Sequence, residues 1–423
     1  MSALPILFLI LLAAKTAAEI SLNALNRREA KRHADSVPEE FRDAIDFETY
    51  KKSVAYTLRK IDFENVETLF DAAIAAVLVL AIFVPVYNFA TDIFGLSPDV
   101  SGWARIWREG VFILAVLTVI NLLSLPFNWY ENFRIEAQFG FNKSTLALWI
   151  SDEIKGVLVS WLIALPLIWC VFAFYYAFPN TWWIFAMAFL VAFQLLLLVI
   201  FPKLILPLFN KLSPLPEGEL RAALTALAER CGFVAKKIEV IDGSKRSGHS
   251  NAFFTGFGKW RRIVLFDTLV EQLSTEEISA VLAHEIGHSK HGHVTKTLVV
   301  SSLLGLVKLW IIAWLLDQKI FFEAFGFDFV PGLMIVPAFL LLSQIAPLVT
   351  FWISPLSNHF SRKHEYEVDA FAKRTMGSPD ALVSALRKLH EKNLGNLTPH
   401  PIYSAFFHSH PTLSEREKAL KNS

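Results

Sequence analysis

Seven long apolar runs constrain this 423-residue chain more than any other feature of its sequence. They lie at roughly 3–20, 70–95, 110–128, 155–177, 181–204, 297–316 and 329–353. Each is long enough, or nearly so, to cross a bilayer as a helix of about 20 residues. Because 54% of the residues are hydrophobic, the chain also has more apolar surface than one soluble core could bury. The sequence therefore predicts an all-α, multi-pass integral membrane protein with about seven transmembrane helices.

The distribution of these runs predicts two domains. Residues 1–206 hold the first five runs, which indicates an N-terminal membrane domain. Residues 207–423 hold the other two runs between long polar segments, which indicates a second domain with both membrane-spanning and water-facing parts. The first run has no basic leader and is interrupted by Lys15, so we interpret it as an uncleaved span rather than a secretion signal.

The positive charges predict how the chain is oriented in the membrane. If every run crosses the bilayer, nearly all Lys and Arg residues fall on one side, in segments 21–69, 129–154, 205–296 and 354–423. The positive-inside rule then places these segments in the cytoplasm and the N-terminus outside. Arg105 and Arg108 are exceptions, which we expect on a short outer loop.

Composition also narrows the partners and the chemistry. The formal net charge is +1, without a basic patch, so we expect the lipid bilayer as a partner and no nucleic acid. Cys170 and Cys231 lie far apart and match no metal or redox spacing, so neither is a strong candidate nucleophile.

All histidines except His33 lie between residues 249 and 410, in the polar segments that flank the sixth and seventh runs. The motif HEIGH occupies positions 284–288 of this region. Upstream of it, Ser274 and Glu277 have the spacing of a capping box, and apolar residues follow at helical intervals. The sequence therefore predicts that HEIGH lies on a helix.

On a helix, His284 and His288 project from one face, so both imidazoles can bind a single zinc ion, one per chain. Glu285 lies beside them, close enough to reach a water held by the metal without being a ligand itself. That is the position of a general base in peptide-bond hydrolysis. HExxH also arises by chance in unrelated chains, so this interpretation depends on a third ligand.

Two sources of a third ligand are open. His291 is nearest, because seven residues from His284 returns almost to the same helical face, but Gly292 follows directly and helices commonly end at a glycine. The segment SRKHEYEVDAFA instead offers Glu365 and Asp369, four residues apart on one helical face. We favour Glu365 as the ligand, with Asp369 orienting a ligand imidazole. Glu367 and His364 lie on other faces, and an ordinary solvated helix is the alternative interpretation of the whole segment.

At this point the sequence resembles the type I CAAX prenyl proteases, integral membrane metallopeptidases of family M48. The similarity extends along nearly the whole chain. Its motifs are HEIGH at 284–288, SRKHEYEVDAFA at 361–372, FRIEAQFGFNKST at 133–145, PLFNKLSPLPEG at 207–218 and SNAFFTGFG at 250–258.

The resemblance implies a zincin-like peptidase domain within residues 207–423 and about seven membrane helices that enclose a chamber. It implies that His284, His288 and Glu365 hold zinc. It also implies that Glu285 is catalytic and that Asp369 supports the site by orienting a ligand imidazole. The family's reaction removes the three residues that follow a prenylated cysteine at a protein C-terminus. The implied substrate is therefore a peptide or protein with a prenylated CAAX sequence, and the sequence leaves open whether prenylation is required.

Two further segments resemble family elements. Residues 250–266 read as a β-hairpin whose first strand, with Asn251 and Ala252, could pair with substrate; a small sheet that only supports the zinc helix is the alternative. In HSHPTLSERE, His410 could donate a hydrogen bond to the oxyanion of the reaction. Arg416 either assists in substrate binding or pairs with a nearby acid.

Several polar residues interrupt the apolar runs and should face the protein interior, because they are unfavourable in lipid. A water-filled chamber or hydrogen bonds between helices would explain them. They are Asn88, Asn121, Gln194, Lys308 and Gln344.

Other functions remain compatible with the sequence. The chain ends in KNS without the basic tail expected of endoplasmic-reticulum members, so a bacterial inner-membrane member is an alternative localisation. A quality-control endopeptidase acting on unprenylated chains would use the same chemistry. A non-enzymatic transporter or scaffold would use the polar residues of the spans and bind no zinc.

Overall fold

The structure is a computed structural model that describes residues 2–96, 102–233, 237–255 and 262–422. Its first helices are α1 (Ala3–Arg32), α2 (Phe47–Val77), α3 (Phe83–Phe94), α4 (Gly102–Tyr130), α5 (Ala137–Phe139), α6 (Leu146–Ala177), α7 (Trp182–Ile200) and α8 (Leu206–Phe209). The remaining elements are β1 (Leu212–Pro214), α9 (Glu219–Arg230), β2 (Lys237–Ile241), β3 (Ala252–Thr255), β4 (Arg262–Phe266), α10 (Asp267–Gln272), α11 (Thr275–Lys290), α12 (His293–Leu315), α13 (Lys319–Ala324), α14 (Ile335–Thr350), α15 (Ser354–Met376), α16 (Asp380–Lys392), α17 (Pro401–Phe407) and α18 (Leu413–Asn422).

Seven helical segments of the described chain are long and apolar enough to cross a membrane, which confirms the predicted fold class. They are Ala3–Arg32, Phe47–Ile93, Gly102–Phe139, Leu146–Ala177, Trp182–Phe209, His293–Leu315 and Ile335–Met376. Several extend well beyond the apolar runs that revealed them. The helices therefore continue from the bilayer into the water-facing part of the molecule.

Short π-helical segments let three of these spans continue without a break. They occupy Leu78–Ile82, Glu131–Glu136 and Phe201–Ile205. A π segment adds a residue to one turn and is often found near functional regions.

The spans are not packed into a solid bundle. None of the most apolar part of His293–Leu315 is buried by protein, and for the other spans the buried share of that part ranges from 6% to 39%. Much of the apolar surface of these spans is therefore free of contact with other described parts of the protein. Of the five polar residues in the apolar runs, Gln344 is half-buried, whereas the others are exposed: Asn88, Asn121, Gln194 and Lys308. Because exposed polar groups are unfavourable in lipid, this exposure favours the chamber over hydrogen bonds between helices.

Arg105 and Arg108 are not loop residues, so that prediction was wrong. Both lie in α4. Arg105 is 3% exposed, and its guanidinium lies 3.1 Å from a carboxylate oxygen of Glu109 one turn further along. The Tyr176 hydroxyl donates to the same carboxylate at 2.8 Å. A buried ion pair of this kind neutralises the positive charge, which removes much of its conflict with the predicted orientation.

The water-facing part contains one four-stranded sheet in the order β1-β2-β4-β3. Strands β3 and β4 pair antiparallel, with Ala252 opposite Leu265, which confirms the predicted hairpin; its turn, residues 256–261, lies outside the described residues. Strand β2 pairs parallel with β4. Strand β3 is therefore an edge of the sheet, and it lies beside α11.

Helix α11 is at the centre of a separate hydrophobic core. One face of it packs on α9, the sheet and α16 through fully buried residues such as Ile278, Leu282 and Ile286. Helix α11 also packs against α15. In that contact, a Cβ placed at Gly287 would lie only 3.0 Å from the Cβ of Val368. Gly287 of the HEIGH motif therefore permits the close approach of α11 and α15.

Candidate active site

The HEIGH residues are positioned by the start and the end of α11. At its N-terminus, Ser274 Oγ accepts from the backbone N–H of Glu277 at 3.3 Å, and Glu277 Oε2 accepts from the backbone N–H of Ser274 at 2.8 Å. This is the predicted capping box. At its C-terminus the chain turns at Gly292, which has φ +66°, and α12 begins at the next residue. The motif thus lies directly beside the membrane end of the sixth span.

The predicted remote carboxylate comes from the continuation of the seventh span. Helix α15 follows α14 with only the short 3₁₀ segment Phe351–Ile353 between them, so Glu365 and Asp369 lie on a helix that extends from the membrane. Both side chains are buried, at 3% and 1% exposure. The carboxylates therefore come from the helix that continues the seventh span, whereas HEIGH lies on the helix that directly precedes the sixth span.

Two imidazoles and one carboxylate meet between α11 and α15. His284 Nε2 lies 3.4 Å from Glu365 Oε2, and His288 Nε2 lies 3.3 Å from Glu365 Oε1. The ligand atoms of the three residues all lie within 4.8 Å of one another. Glu365 Oε2 is buried without a hydrogen bond from any described residue. Two imidazoles and a carboxylate with a buried oxygen that lacks a hydrogen bond fit a catalytic zinc site, which has three protein ligands and keeps a fourth position for water or substrate.

His284 is held from its other side by Asp369. Asp369 Oδ1 lies 2.9 Å from His284 Nδ1, so it accepts the N–H that remains when Nε2 faces the metal position. The guanidinium of Arg416 donates twice to the same carboxylate, from Nε at 2.8 Å and from Nη2 at 2.6 Å. Arg416 is itself 9% exposed. Of the two interpretations of Arg416, this contact favours pairing with an acid; a role in substrate binding stays a prediction.

Glu285 occupies a partly buried position next to the two imidazoles. Burial raises the pKa of its carboxyl above the usual value, and the charge of a protonated His284 or His288 would oppose that rise. A carboxylate with a raised pKa is a better proton acceptor near neutral pH than a fully solvated one.

His410 lies at the open side of this group. Its Nε2 is 3.6 Å from Glu365 Oε1, while its side chain is 63% exposed. An imidazole in this place can reach a molecule bound at the metal position. Ala252 is the first residue of β3, and Asn251, which directly precedes it, is exposed.

A second group of possible ligands, which the spacing of the sequence did not predict, lies beside the first. The ligand atoms of His291, His293 and Glu367 also lie within 4.8 Å of one another. His291 and Glu367 belong to this second group and not to the group of His284, His288 and Glu365. The sequence signal for His293 is the run HSKHGH at 288–293, which begins with the last residue of the motif. Helical spacing alone could not place His293, because the chain turns at Gly292.

Comparisons with known proteins agree with this geometry. The family model described as "CAAX prenyl protease N-terminal, five membrane helices" matches residues 26–211. The model described as "Peptidase family M48" matches residues 214–423. The chain belongs to peptidase family M48. It is therefore an integral membrane metallopeptidase.

Relatives of this M48 peptidase match over almost the whole chain. CAAX prenyl protease 1 of Saccharomyces cerevisiae is 36% identical, with 93% of this chain and 90% of that protein covered. The human CAAX prenyl protease 1 homolog is 33% identical, with 94% and 91% covered. The crystal structure of S. mikatae Ste24p has a TM-score of 0.85 at 34% identity, and the match covers 98% of both chains. The M48 peptidase therefore shares its fold with this solved structure.

Proposed function

We propose that this M48 peptidase hydrolyses peptide bonds with one zinc ion per chain held by His284, His288 and Glu365. The observation that carries the proposal is that ligand atoms of His284, His288 and Glu365 lie within 4.8 Å of one another, while Glu365 Oε2 is buried without a hydrogen bond from a described residue. We further propose that residues 1–206 form the membrane domain and residues 207–423 the catalytic domain. The two family models meet between residues 211 and 214, which supports that division.

Each polar group of the site has a distinct part in the proposed reaction. The chemistry that zinc would supply is the acidification of a water and the polarisation of the scissile carbonyl. Glu285 accepts the proton of the attacking water and passes it to the leaving amine. His410, exposed beside Glu365, donates a hydrogen bond to the oxygen on which negative charge develops.

The edge strand β3 is the proposed binding surface for the substrate backbone. Ala252 is the first residue of this strand and Asn251 directly precedes it, and the outer edge of the strand has no partner strand in the described sheet. An extended peptide can pair with such an edge through backbone hydrogen bonds, in register along the strand. Because β3 lies beside α11, a paired peptide would run past the HEIGH residues.

For the substrate, we propose a C-terminal CAAX sequence whose cysteine is prenylated, with release of the last three residues. The relatives named CAAX prenyl protease 1 support this class. We expect the purified protein to cleave a farnesylated CAAX peptide with a kcat/KM at least about tenfold higher than the same peptide without the lipid. Comparable kcat/KM values for both peptides would indicate an endopeptidase of broader, quality-control type.

The active-site segments are proposed to face the cytoplasm. The segments that hold HEIGH and Glu365 are those rich in Lys and Arg, and the positive-inside rule places such segments on the cytoplasmic side. Labelling of a single cysteine introduced at the exposed Lys363, in sealed vesicles of known orientation, measures this directly.

Replacing Asp369 by Asn should weaken zinc binding by about ten- to a hundredfold, as loss of a supporting carboxylate typically does. The amide can still accept from His284, but it no longer balances the charge of Arg416. Zinc affinity should be measured by chelator competition together with the thermal midpoint. Unchanged zinc affinity in a folded variant would contradict the role assigned to Asp369.

A further inference from the structure

A line of polar contacts leads away from His288 on the side opposite the proposed zinc position. His288 Nδ1 lies 3.2 Å from Nδ1 of His293. His293 Nε2 in turn lies 3.1 Å from Glu367 Oε2. On its other side, His288 Nε2 faces Glu365 Oε1 at 3.3 Å. Glu367, His293 and His288 therefore form a continuous line that ends at the metal position.

A single arrangement of protons on neutral imidazoles satisfies this line. To bind a metal through Nε2, His288 must carry its proton on Nδ1. That N–H can donate to Nδ1 of His293 only if the proton of His293 is on Nε2. The Nε2–H of His293 then donates to the Glu367 carboxylate. Every donor in the line has an acceptor, and the lone pair of His288 Nε2 is left for the metal.

We propose that His293 and Glu367 are positioning residues for His288, which fix the tautomer and ring orientation that zinc binding requires. The inference rests on the zinc site proposed above. Imidazoles that bind metals commonly donate their second N–H to a carboxylate, as His284 does to Asp369. For His288 the carboxylate acts through an intervening imidazole. Helix α15 thus supplies the third ligand and, two and four residues later, a carboxylate for each imidazole.

The fold holds His293 firmly in this place. It is 3% exposed and is the first residue of α12, directly after the turn at Gly292. The ring of His364 stacks on it, with centroids 3.9 Å apart and an interplanar angle of 13°. The His291 ring stacks more loosely, at 5.5 Å. A buried ring between such neighbours keeps one orientation, as an orienting group must.

The alternative use of the same residues is a second metal site. His291, His293 and Glu367 could hold an ion by spacing alone. Both ring nitrogens of His293, however, are already used in the line from His288 to Glu367. A second ion would have to displace the contact with Glu367, so the two uses predict different zinc contents.

A matched pair of substitutions at His293 tests the proposal. Gln and Met are similar in length, but only Gln can accept from His288 Nδ1–H through its carbonyl and donate to Glu367 through its amide. We expect His293→Met to lower zinc affinity by about ten- to a hundredfold and His293→Gln by less than about tenfold. Affinity is measured by chelator competition on the full-length protein in detergent, with the thermal midpoint recorded for each variant. Activity lost by His293→Met should return in zinc-buffered medium at higher free zinc, which a folding defect would not allow.

Two further variants separate the alternatives. Glu367→Gln, whose amide oxygen can still accept from His293, should retain more affinity than Glu367→Leu, which cannot. His291→Phe keeps a ring and removes the ligand nitrogens, and we expect it to bind one zinc with wild-type affinity. A zinc content that falls from two to one in His291→Phe would establish a second metal site and overturn the proposal.

Equal losses in His293→Gln and His293→Met, or no loss in His293→Met, would also overturn the positioning role. Failure of the underlying zinc site gives a different result. If wild-type protein binds no zinc, or if Glu365→Gln binds it as tightly as wild type, the proposed function fails whatever His293 does. If Glu365→Gln loses zinc while His293→Met keeps it, only the present inference fails.

Discussion

Replacing Glu285 by Gln should reduce turnover by at least about a hundredfold while the protein keeps its zinc. Gln has nearly the same shape, so it fills the same partly buried position, but its amide cannot accept the proton of the attacking water. His284 and His288 are not altered, and the metal should stay bound. The kcat on a farnesylated CAAX peptide and the zinc content of the same preparation provide the measurement.

Glu276→Gln is the matched control for this substitution. Glu276 is exposed on the same helix, two turns before the motif, so the same chemical change there should leave both kcat and zinc content at wild-type values. If Glu285→Gln retained activity within about tenfold of that control, Glu285 would not be the general base.

Replacing Glu365 by Gln should cause the largest loss of zinc of any single carboxyl-to-amide change, together with loss of activity. The amide carries no charge, and only His284 and His288 would then hold the ion strongly. Two ligands bind zinc far more weakly than three, because each ligand adds to the affinity of the site. Zinc retained after dialysis against a chelator of known affinity is the quantity to measure.

Glu276→Gln again provides the comparison, whereas Glu367→Gln does not. Helical spacing predicted that Glu367 points away from the site, yet its carboxylate reaches His288 through His293. If Glu365→Gln kept zinc as tightly as Glu276→Gln while His291→Ala lost it, the third ligand would be His291 and the proposed set would be wrong.

Periodicity and local chemistry determined much of the fold. In lipid, a long apolar run must satisfy its own backbone hydrogen bonds, and it does so as a helix. The seven runs were therefore sufficient to predict seven spans. Residues within one helix are related by fixed geometry, so the capping box and the common face of His284 and His288 followed from spacing. The β3–β4 hairpin could be predicted for the same reason, since its strands are neighbours in the chain.

The remote pairing of Glu365 with HEIGH was suggested by the sequence, but its geometry depends on tertiary packing. The two segments are separated by two spans, and nothing in local spacing shows that α15 continues from the seventh span to reach α11. Gly287 allows the two helices to approach closely enough for the imidazoles and the carboxylate to meet.

The groups around the ligands were decided by the tertiary structure alone. Arg416 on Asp369, and Glu367 with His293 behind His288, are contacts between residues from different helices. Helical spacing assigned Glu367 to another face because it treats α15 as isolated, whereas the turn at Gly292 brings His293 to that face. A sequence specifies which side of its own helix a residue occupies, but the neighbour that it meets there depends on how the helices pack.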